Sequence, residues 1–195
     1  VVPTDTVYGV AADAFRAEAV QRLLDAKERG RDAPPPVLIP GIPTLAALAE
    51  TVPDEVTALV KKFWPGGLTV IVEARESLAW DLGETRGTVA LRMPDNRYTL
   101  NLLADTGPLA VSSANISGEP AARTAAEAQA MLGDRVSVYL DAGEVGAPPA
   151  DGADPGSTIV DATSLHLPEG RLRILRQGVI SAEELARIVG TERLA

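Results

Sequence analysis

Three basic side chains, Lys27, Arg29 and Arg31, alternate where an amphipathic helix that starts near Ala17 is expected to close at Gly30. In extended chain, side chains two residues apart point to the same face. A chain that leaves the helix near Lys27 would therefore direct three cations at one polyanion, such as a triphosphate. The alternative is a solvated basic helix end that interacts with the helix dipole. The spacing alone leaves both interpretations open.

Two segments rich in small polar residues are further candidates for an anion site. Residues 112–118 leave a predicted buried strand and carry hydroxyl and amide groups into a turn, where they can line a phosphate or carboxylate. Residues 155–161 place small residues ahead of a strand, where backbone can approach a ligand closely. The alternatives, an ordinary hydroxyl-rich turn and a plain strand entry, stay open as well.

The residue types present exclude several other chemistries. The only histidine, His166, is set among leucines ahead of a turn, with no Gly-x-Ser-x-Gly motif nearby, so we do not expect a Ser-His-Asp triad. The chain has no cysteine, which excludes disulfides, thiol nucleophiles and zinc fingers. Its acidic residues are scattered, so Mg²⁺ would be shared with a phosphate ligand rather than caged by protein.

Length and composition predict one domain over residues 1–195, with 46% of residues hydrophobic and 23% charged. The net charge of −9 and an aromatic content of 4% argue against delocalised binding of nucleic acid. No apolar stretch approaches the roughly 20 residues that cross a bilayer. We therefore expect a soluble, cytoplasmic protein that is not bound to membranes. The chain begins at Val1 without a methionine, so we expect further residues upstream.

The elements that must position these residues alternate between helical and extended patterns, which predicts an α/β fold. A glycine- and proline-rich stretch, 143–155, is expected to be an exposed, mobile loop. Capping-box spacing places two helices at Ala125–Leu132 and Ala182–Val189. Two more helices are predicted at 17–30 and 54–63, and strands at 68–72, 88–92, 109–113, 136–140, 157–161 and 172–175.

Seven segments, in this order, resemble the YrdC-type family: PTDTVYGVAAD (3–13), KER (27–29), FWPGGLT (63–69), TVALRMP (88–94), SANISG (113–118), GST (156–158) and ILRQG (174–178). Each segment is short, but together they span nearly the whole chain. The resemblance implies a twisted, mostly parallel open sheet flanked by helices around a positively charged cavity. It also implies the activity of L-threonylcarbamoyladenylate synthases, which are nucleotidyltransferases. These enzymes combine L-threonine, bicarbonate and ATP into threonylcarbamoyl-AMP and pyrophosphate, and downstream transfer proteins use the product to modify adenosine 37 of tRNA.

The resemblance also assigns roles to individual residues. The carboxylate of threonine would be bound by the planar fork of Arg92. Threonine would also contact Thr6 and Ser157, and Lys27 and Arg29 would act in catalysis while holding the phosphates of ATP, which brings Mg²⁺ with it. The remaining nucleotide contacts implied are Thr88, Ser113, Asn115 and Arg176.

Two positions depart from the family pattern. Many members have a lysine four positions after the motif arginine and a histidine nine positions after it, where this chain has Ala33 and Leu38. We expect Arg31 to replace the missing lysine as a phosphate ligand. No residue is evident as a substitute for the histidine.

Two other functions remain open at this point. One is a YciO-like paralogue that binds or hydrolyses nucleotide without threonine chemistry. The other is an RNA-binding module of the same fold, which the net charge of −9 disfavours. For the synthase we expect no direct tight binding of tRNA.

Overall fold

The computed structural model describes residues 1–147 and 154–195, which form one mixed sheet with helices on it. The strands are β1 (Gly9–Asp13), β2 (Val37–Leu38), β3 (Leu68–Glu73), β4 (Thr88–Arg92), β5 (Leu109–Ser113), β6 (Thr158–Asp161) and β7 (Arg173–Arg176). The helices are α1 (Ala17–Ala26), α2 (Ile42–Leu48), α3 (Asp54–Phe63), α4 (Arg97–Thr106), α5 (Ala125–Leu132) and α6 (Ala182–Val189). Short 3₁₀ turns follow α5 and α6.

The sheet has the strand order β1-β5-β2-β4-β3-β6-β7. Only β2–β4 and β3–β6 are parallel neighbours, and the other neighbouring pairs are antiparallel. The α/β class is therefore confirmed, whereas the expectation of a mostly parallel sheet is wrong. Parallel neighbours need a crossover connection that is usually helical. The links β3–β4 and β6–β7 contain no helix, and both fold back as antiparallel pairs.

The main core lies on one face of the sheet. Side chains of the central strands, such as Val70 and Leu91, pack there with Leu59 of α3 and Leu185 of α6. A second cluster packs Tyr8 with residues of α1 and α5. Because side chains alternate along a strand, the residues between these core positions face the opposite way.

Several predicted elements are confirmed. Strands β4 and β5 and helices α5 and α6 have the predicted bounds. Thr124 and Ser181 each form a complete capping box, which satisfies free backbone N–H groups at the helix start. Strands β6 and β7 each begin one residue later than predicted, and α1 ends at Ala26 rather than at Gly30.

One predicted strand, 136–140, is wrong. Within the described residues, the backbone of this segment bonds only with Val1, whose nitrogen donates to the Val138 carbonyl (2.5 Å) while Leu140 N–H donates to the Val1 carbonyl (3.0 Å). Pairing with a single residue does not form a β-ladder, and the side chains of Val138 and Leu140 are exposed. The apolar residues of 136–140 therefore do not belong to a buried strand.

The structure also contains elements that the sequence pattern missed, namely β1, β2, α2 and α4. Strand β2 has only two residues, and α4 starts at a cap in which the Asn96 side chain accepts from Tyr98 and Thr99 N–H.

In the predicted loop 143–155, residues 143–147 and 154–155 form neither helix nor strand; 148–153 lie outside the described residues. No helix within the two described ranges has the length and apolar character to cross a membrane.

Candidate active site

A cavity of about 730 Å³ lies against the face of the sheet opposite the main core, within the usual size range of small-molecule sites. Its apolar floor is formed by strand residues that alternate with core positions, namely Leu38, Ile71, Ala90, Val111 and Ile159. Polar side chains surround this floor. The geometry therefore combines an apolar base with a ring of groups that can fix a polar ligand.

Four arginines line this cavity: Arg29, Arg92, Arg123 and Arg176. Only two carboxylates, those of Glu119 and Asp154, line it among the described residues. The cavity is thus locally cationic in a chain whose net charge is −9. Such a local cluster of cations can attract an anion even though the whole chain is acidic.

Arg92 ends strand β4 and is 6% exposed. Its Nε donates to the Gly66 carbonyl (3.0 Å), its Nη1 to Thr6 Oγ1 (3.0 Å) and its Nη2 to Asp5 Oδ1 (2.7 Å). Burial lowers the pKa of Arg92, while Asp5 opposes that effect. A guanidinium carries five N–H donors, so the described contacts leave one on each terminal nitrogen. Two such donors on one planar group suit a carboxylate.

A cluster of hydroxyls adjoins Arg92. Thr6 Oγ1 lies 3.1 Å from Thr4 Oγ1, and Thr69 Oγ1 lies 2.7 Å from Ser157 Oγ. All four residues line the cavity. The structure therefore brings the predicted threonine-contacting residues Thr6, Arg92 and Ser157 to one cavity.

Arg176 connects this cluster to the remaining cations. Its Nε and Nη2 donate to the Ser157 carbonyl (3.0 and 2.7 Å), and Nη2 also donates to Ser157 Oγ (3.1 Å). Its charge acts to lower the pKa of both Arg29 and Arg92. Cations that repel one another in this way favour an anion between them.

Arg29 stands after the end of α1 and is oriented by two contacts. Its Nε donates to the Ala33 carbonyl (2.7 Å) and its Nη1 to Ser112 Oγ (3.1 Å). Burial lowers the pKa of Arg29. Its Nη2 has no partner among residues 1–147 and 154–195, and can donate to a ligand in the cavity. Ala33, which stands where the family lysine is expected, thus contributes its backbone rather than a charge.

Ser113 and Asn115 leave strand β5 and line the cavity as predicted. Asn115 Nδ2 donates to the carbonyls of Ile116 (2.9 Å) and Glu119 (2.6 Å). These bonds fix the amide in the turn that follows the strand.

Lys27 caps the end of α1 and is not part of the described cavity lining. Its ammonium donates to the Ser113 carbonyl, to the Asn115 carbonyl (2.6 Å) and to Asn115 Oδ1 (3.2 Å). All three N–H donors are thereby engaged. Burial lowers the pKa of Lys27 to about 8, and the charge of Arg29 adds to this shift. The ammonium therefore ties α1 to the turn after β5 and supports the cavity wall from behind.

The predicted convergence of Arg31 with Lys27 and Arg29 is wrong. Glu28 adopts a left-handed conformation (φ 55°), so the segment is not extended and alternate side chains do not share a face. Arg31 Nη2 instead pairs with Asp81 Oδ1 (2.6 Å), and Nη1 donates to Gln21 Oε1 (3.1 Å). This arginine holds the end of α1 to the β3–β4 connection.

Thr88 also lies outside the described cavity lining. Its hydroxyl donates to the Thr85 carbonyl (2.8 Å) at the start of β4. Thr88 and Arg92 are four residues apart along the same strand, so they lie about 13 Å from each other. The structure therefore does not bring Thr88 together with the other predicted nucleotide contacts.

Several polar residues that line the cavity were not identified from the sequence, among them Thr4, Thr69 and Arg123. The first two lie inside quoted motifs, and strand alternation with Ile71 would have directed Thr69 to the cavity. Arg123 directly precedes the N-cap residue of α5, and no sequence pattern there indicates that its side chain lines the cavity.

Comparisons with known proteins agree with this architecture. The model of the family Sua5/YciO/YrdC, described as telomere recombination, matches residues 1–178. A Mycobacterium tuberculosis protein named as a candidate threonylcarbamoyl-AMP synthase is 47% identical over 192 residues, 98% of this chain and 83% of its own length. The threonylcarbamoyl-AMP synthase of Bacillus subtilis is 34% identical over 190 residues, 96% of this chain and 52% of its own. The crystal structure of Pyrococcus abyssi Sua5 complexed with L-threonine superposes with a TM-score of 0.85 at 34% identity, covering 99% of this chain and 54% of that chain.

Proposed function

The chain belongs to the Sua5/YciO/YrdC family, and from this premise we propose that it is an L-threonylcarbamoyladenylate synthase. The names of relatives that align over nearly the whole chain support this proposal. The reaction would be a nucleotidyl transfer in which L-threonine, bicarbonate and ATP yield threonylcarbamoyl-AMP and pyrophosphate. The product would serve the threonylcarbamoylation of tRNA adenosine 37.

One observation carries the proposal: the cavity holds two kinds of anion-binding group at once. The buried fork of Arg92, with the hydroxyls of Thr6 and Ser157, suits an amino acid with a carboxylate and a hydroxyl. Arg29 and Arg176 offer separate cations for a polyphosphate.

The chemistry has two steps. In the first, the unprotonated amine of threonine attacks the carbon of bicarbonate: a C–N bond forms, a C–O bond breaks, and the hydroxyl leaves with an amine proton as water to give N-carboxy-threonine. In the second step, an oxygen of this new carbamate group attacks the α-phosphorus of ATP, and the bond from that phosphorus to the oxygen bridging to the β-phosphorus breaks to release pyrophosphate. Both reactants are anions, so catalysis depends on holding them in line and on opposing their repulsion. Arg92 would hold one reactant and Arg29 with Arg176 the other. Lys27 would contribute by keeping Ser113 and Asn115 in place.

Mg²⁺ would enter as part of the Mg-ATP substrate. No cluster of three or more His, Cys, Asp or Glu side chains within the described residues has the geometry to hold a metal ion. A hard cation of this kind is commonly bound through substrate phosphates together with one or two carboxylates. We expect the reaction to take place in the cytoplasm, where the tRNA-modifying proteins that use the product would meet it, without tight binding of tRNA by this chain.

The proposal is tested by measuring pyrophosphate release from ATP with threonine and bicarbonate added separately and together. The synthase requires both for release. Equal release without threonine would instead indicate a nucleotide hydrolase. RNA binding without any pyrophosphate release would indicate a non-catalytic module.

A further inference from the structure

Residues 142–146, here called the strap, run behind the segment that carries Thr6. Two bonds join the strap to Tyr8: Tyr8 Oη donates to the Gly143 carbonyl (2.7 Å) and accepts from Ala142 N–H (2.9 Å). Val145 is 8% exposed and packs in the same cluster as Tyr8. The strap is thus anchored two residues beyond Thr6.

Arg123 anchors the strap a second time. Its Nη2 donates to the Gly146 carbonyl (2.6 Å) and its Nε to the Val145 carbonyl (3.2 Å), while Val145 N–H donates to the Arg123 carbonyl (2.9 Å). An ion pair with Glu144 (3.0 Å) adds to these contacts. This cavity-lining arginine therefore uses at least two of its N–H donors to bind the strap.

Gly146 touches the backbone of Thr6 directly. A Cβ built at Gly146 would lie 2.0 Å from the Thr6 carbonyl oxygen and 2.9 Å from its carbon, and the backbone is left-handed (φ +61°). Ordinary contacts begin near 3.4 Å. Since the obstacle is backbone rather than the end of a flexible side chain, any side chain here must displace Thr6 or the strap by more than 1 Å.

We propose that Gly146, held by Arg123, is a positioning residue that sets Thr6 against Arg92, and so controls binding at the amino-acid end of the cavity. This inference rests on the proposed function, because Thr6 and Arg92 are the groups assigned there to threonine. Thr6 Oγ1 accepts from Arg92 Nη1 at 3.0 Å, so a shift of Thr6 changes the orientation of the fork as well. Misplacement by about 1 Å can cost a factor of about 100 in rate or binding.

The test compares Gly146→Ala with Gly133→Ala. Gly133 also has a positive φ (+52°) but nothing within 4 Å of its Cβ position, so a side chain there introduces the strain of a positive φ without the contact. We expect Gly146→Ala to raise the KM for threonine by tenfold or more and to leave the KM for ATP within twofold. Gly133→Ala should change neither KM by more than twofold, with a similar loss in Tm.

Arg123→Ala and Arg123→Lys provide a second arm, which carries the test alone if Gly146→Ala does not fold. Arg123→Ala should raise the threonine KM, and Arg123→Lys should recover part of that loss because an ammonium can still donate to the Gly146 carbonyl. A threonine KM unchanged in both Gly146→Ala and Arg123→Ala overturns the inference. So does a larger rise in the ATP KM than in the threonine KM, which would make Arg123 a nucleotide ligand.

Failure of the inference and failure of the proposed function are distinguishable in the wild-type control. Wild-type protein that releases no threonine-dependent pyrophosphate refutes the function, and the inference with it. Wild-type activity with unchanged variants refutes the inference alone.

Discussion

Replacing Arg29 and Arg31 separately by methionine should affect ATP binding very differently, although the two arginines stand two residues apart. Methionine keeps an unbranched apolar side chain and removes the charge. Arg29 lines the cavity, and its Nη2 has no partner in the part of the chain that the structure describes. Arg31, in contrast, is paired with Asp81 outside the cavity lining. We expect Arg29→Met to weaken ATP binding and Arg31→Met to leave it unchanged.

The magnitudes follow from the surroundings of each guanidinium. A hydrogen bond to a charged group contributes about 1.5–3 kcal/mol, which corresponds to a loss of roughly 10- to 150-fold in ATP affinity for Arg29→Met. The side chains of Arg31 and Asp81 are 43% and 47% exposed, and solvent screens such a pair. Arg31→Met should therefore cost only about 0–1 kcal/mol of unfolding free energy.

The assay is calorimetric titration of each variant with Mg-ATP, with thermal unfolding measured alongside. Asp81→Asn provides a further control, because it releases Arg31 without removing its charge. Equal weakening of ATP by both arginine variants would refute the account of this segment. A gain in ATP affinity in Asp81→Asn would also refute it, since Arg31 would then be a phosphate ligand restrained by its partner.

Three further predictions follow from the same geometry. Arg92→Lys should raise the KM for threonine at least tenfold and that for ATP less than threefold, because an ammonium cannot replace the planar fork; equal rises in steady-state pyrophosphate release would contradict this role. Burial lowers the pKa of Lys27 from 10.5 to about 8, so between these values the folded chain has released a proton that the unfolded chain still holds. The unfolding free energy of wild type relative to Lys27→Met should therefore rise by up to about 3 kcal/mol from pH 8 to 10.5, and a flat or falling difference in urea titrations would count against it. Finally, tRNA should bind weakly and without a steep salt dependence, and submicromolar affinity at physiological salt in a filter-binding assay would overturn that expectation.

The helices and strands that the sequence predicted well are those with strong local signals. Helices α5 and α6 begin at complete capping boxes, and β4 and β5 are short apolar runs between breakers. The two-residue strand β2 is too short to show any periodicity. In strand β1, the valine is the one residue of a type enriched in strands, and the others are glycine, alanine and aspartate, which are depleted there.

The candidate site could be located from its motifs, but its internal contacts could not. Nothing local marks Glu28 for a left-handed conformation, because non-glycine residues rarely adopt one. The partner that removes Arg31 from the cavity, Asp81, lies 50 positions away in sequence. The burial of the Lys27 ammonium under the turn after β5 likewise depends on long-range packing. Residue type therefore predicted the cationic character of the cavity, and tertiary contacts decided which cations reach it.

The most direct test of the central claim is mass spectrometry of the nucleotide product after incubation of the protein with Mg-ATP, L-threonine and ¹³C-bicarbonate. The account predicts a threonylcarbamoyl-AMP species that carries one ¹³C atom, forms in equal amount with pyrophosphate and disappears when threonine is omitted. Formation of unmodified AMP or ADP, with no labelled adenylate under conditions in which ATP is consumed, would contradict it.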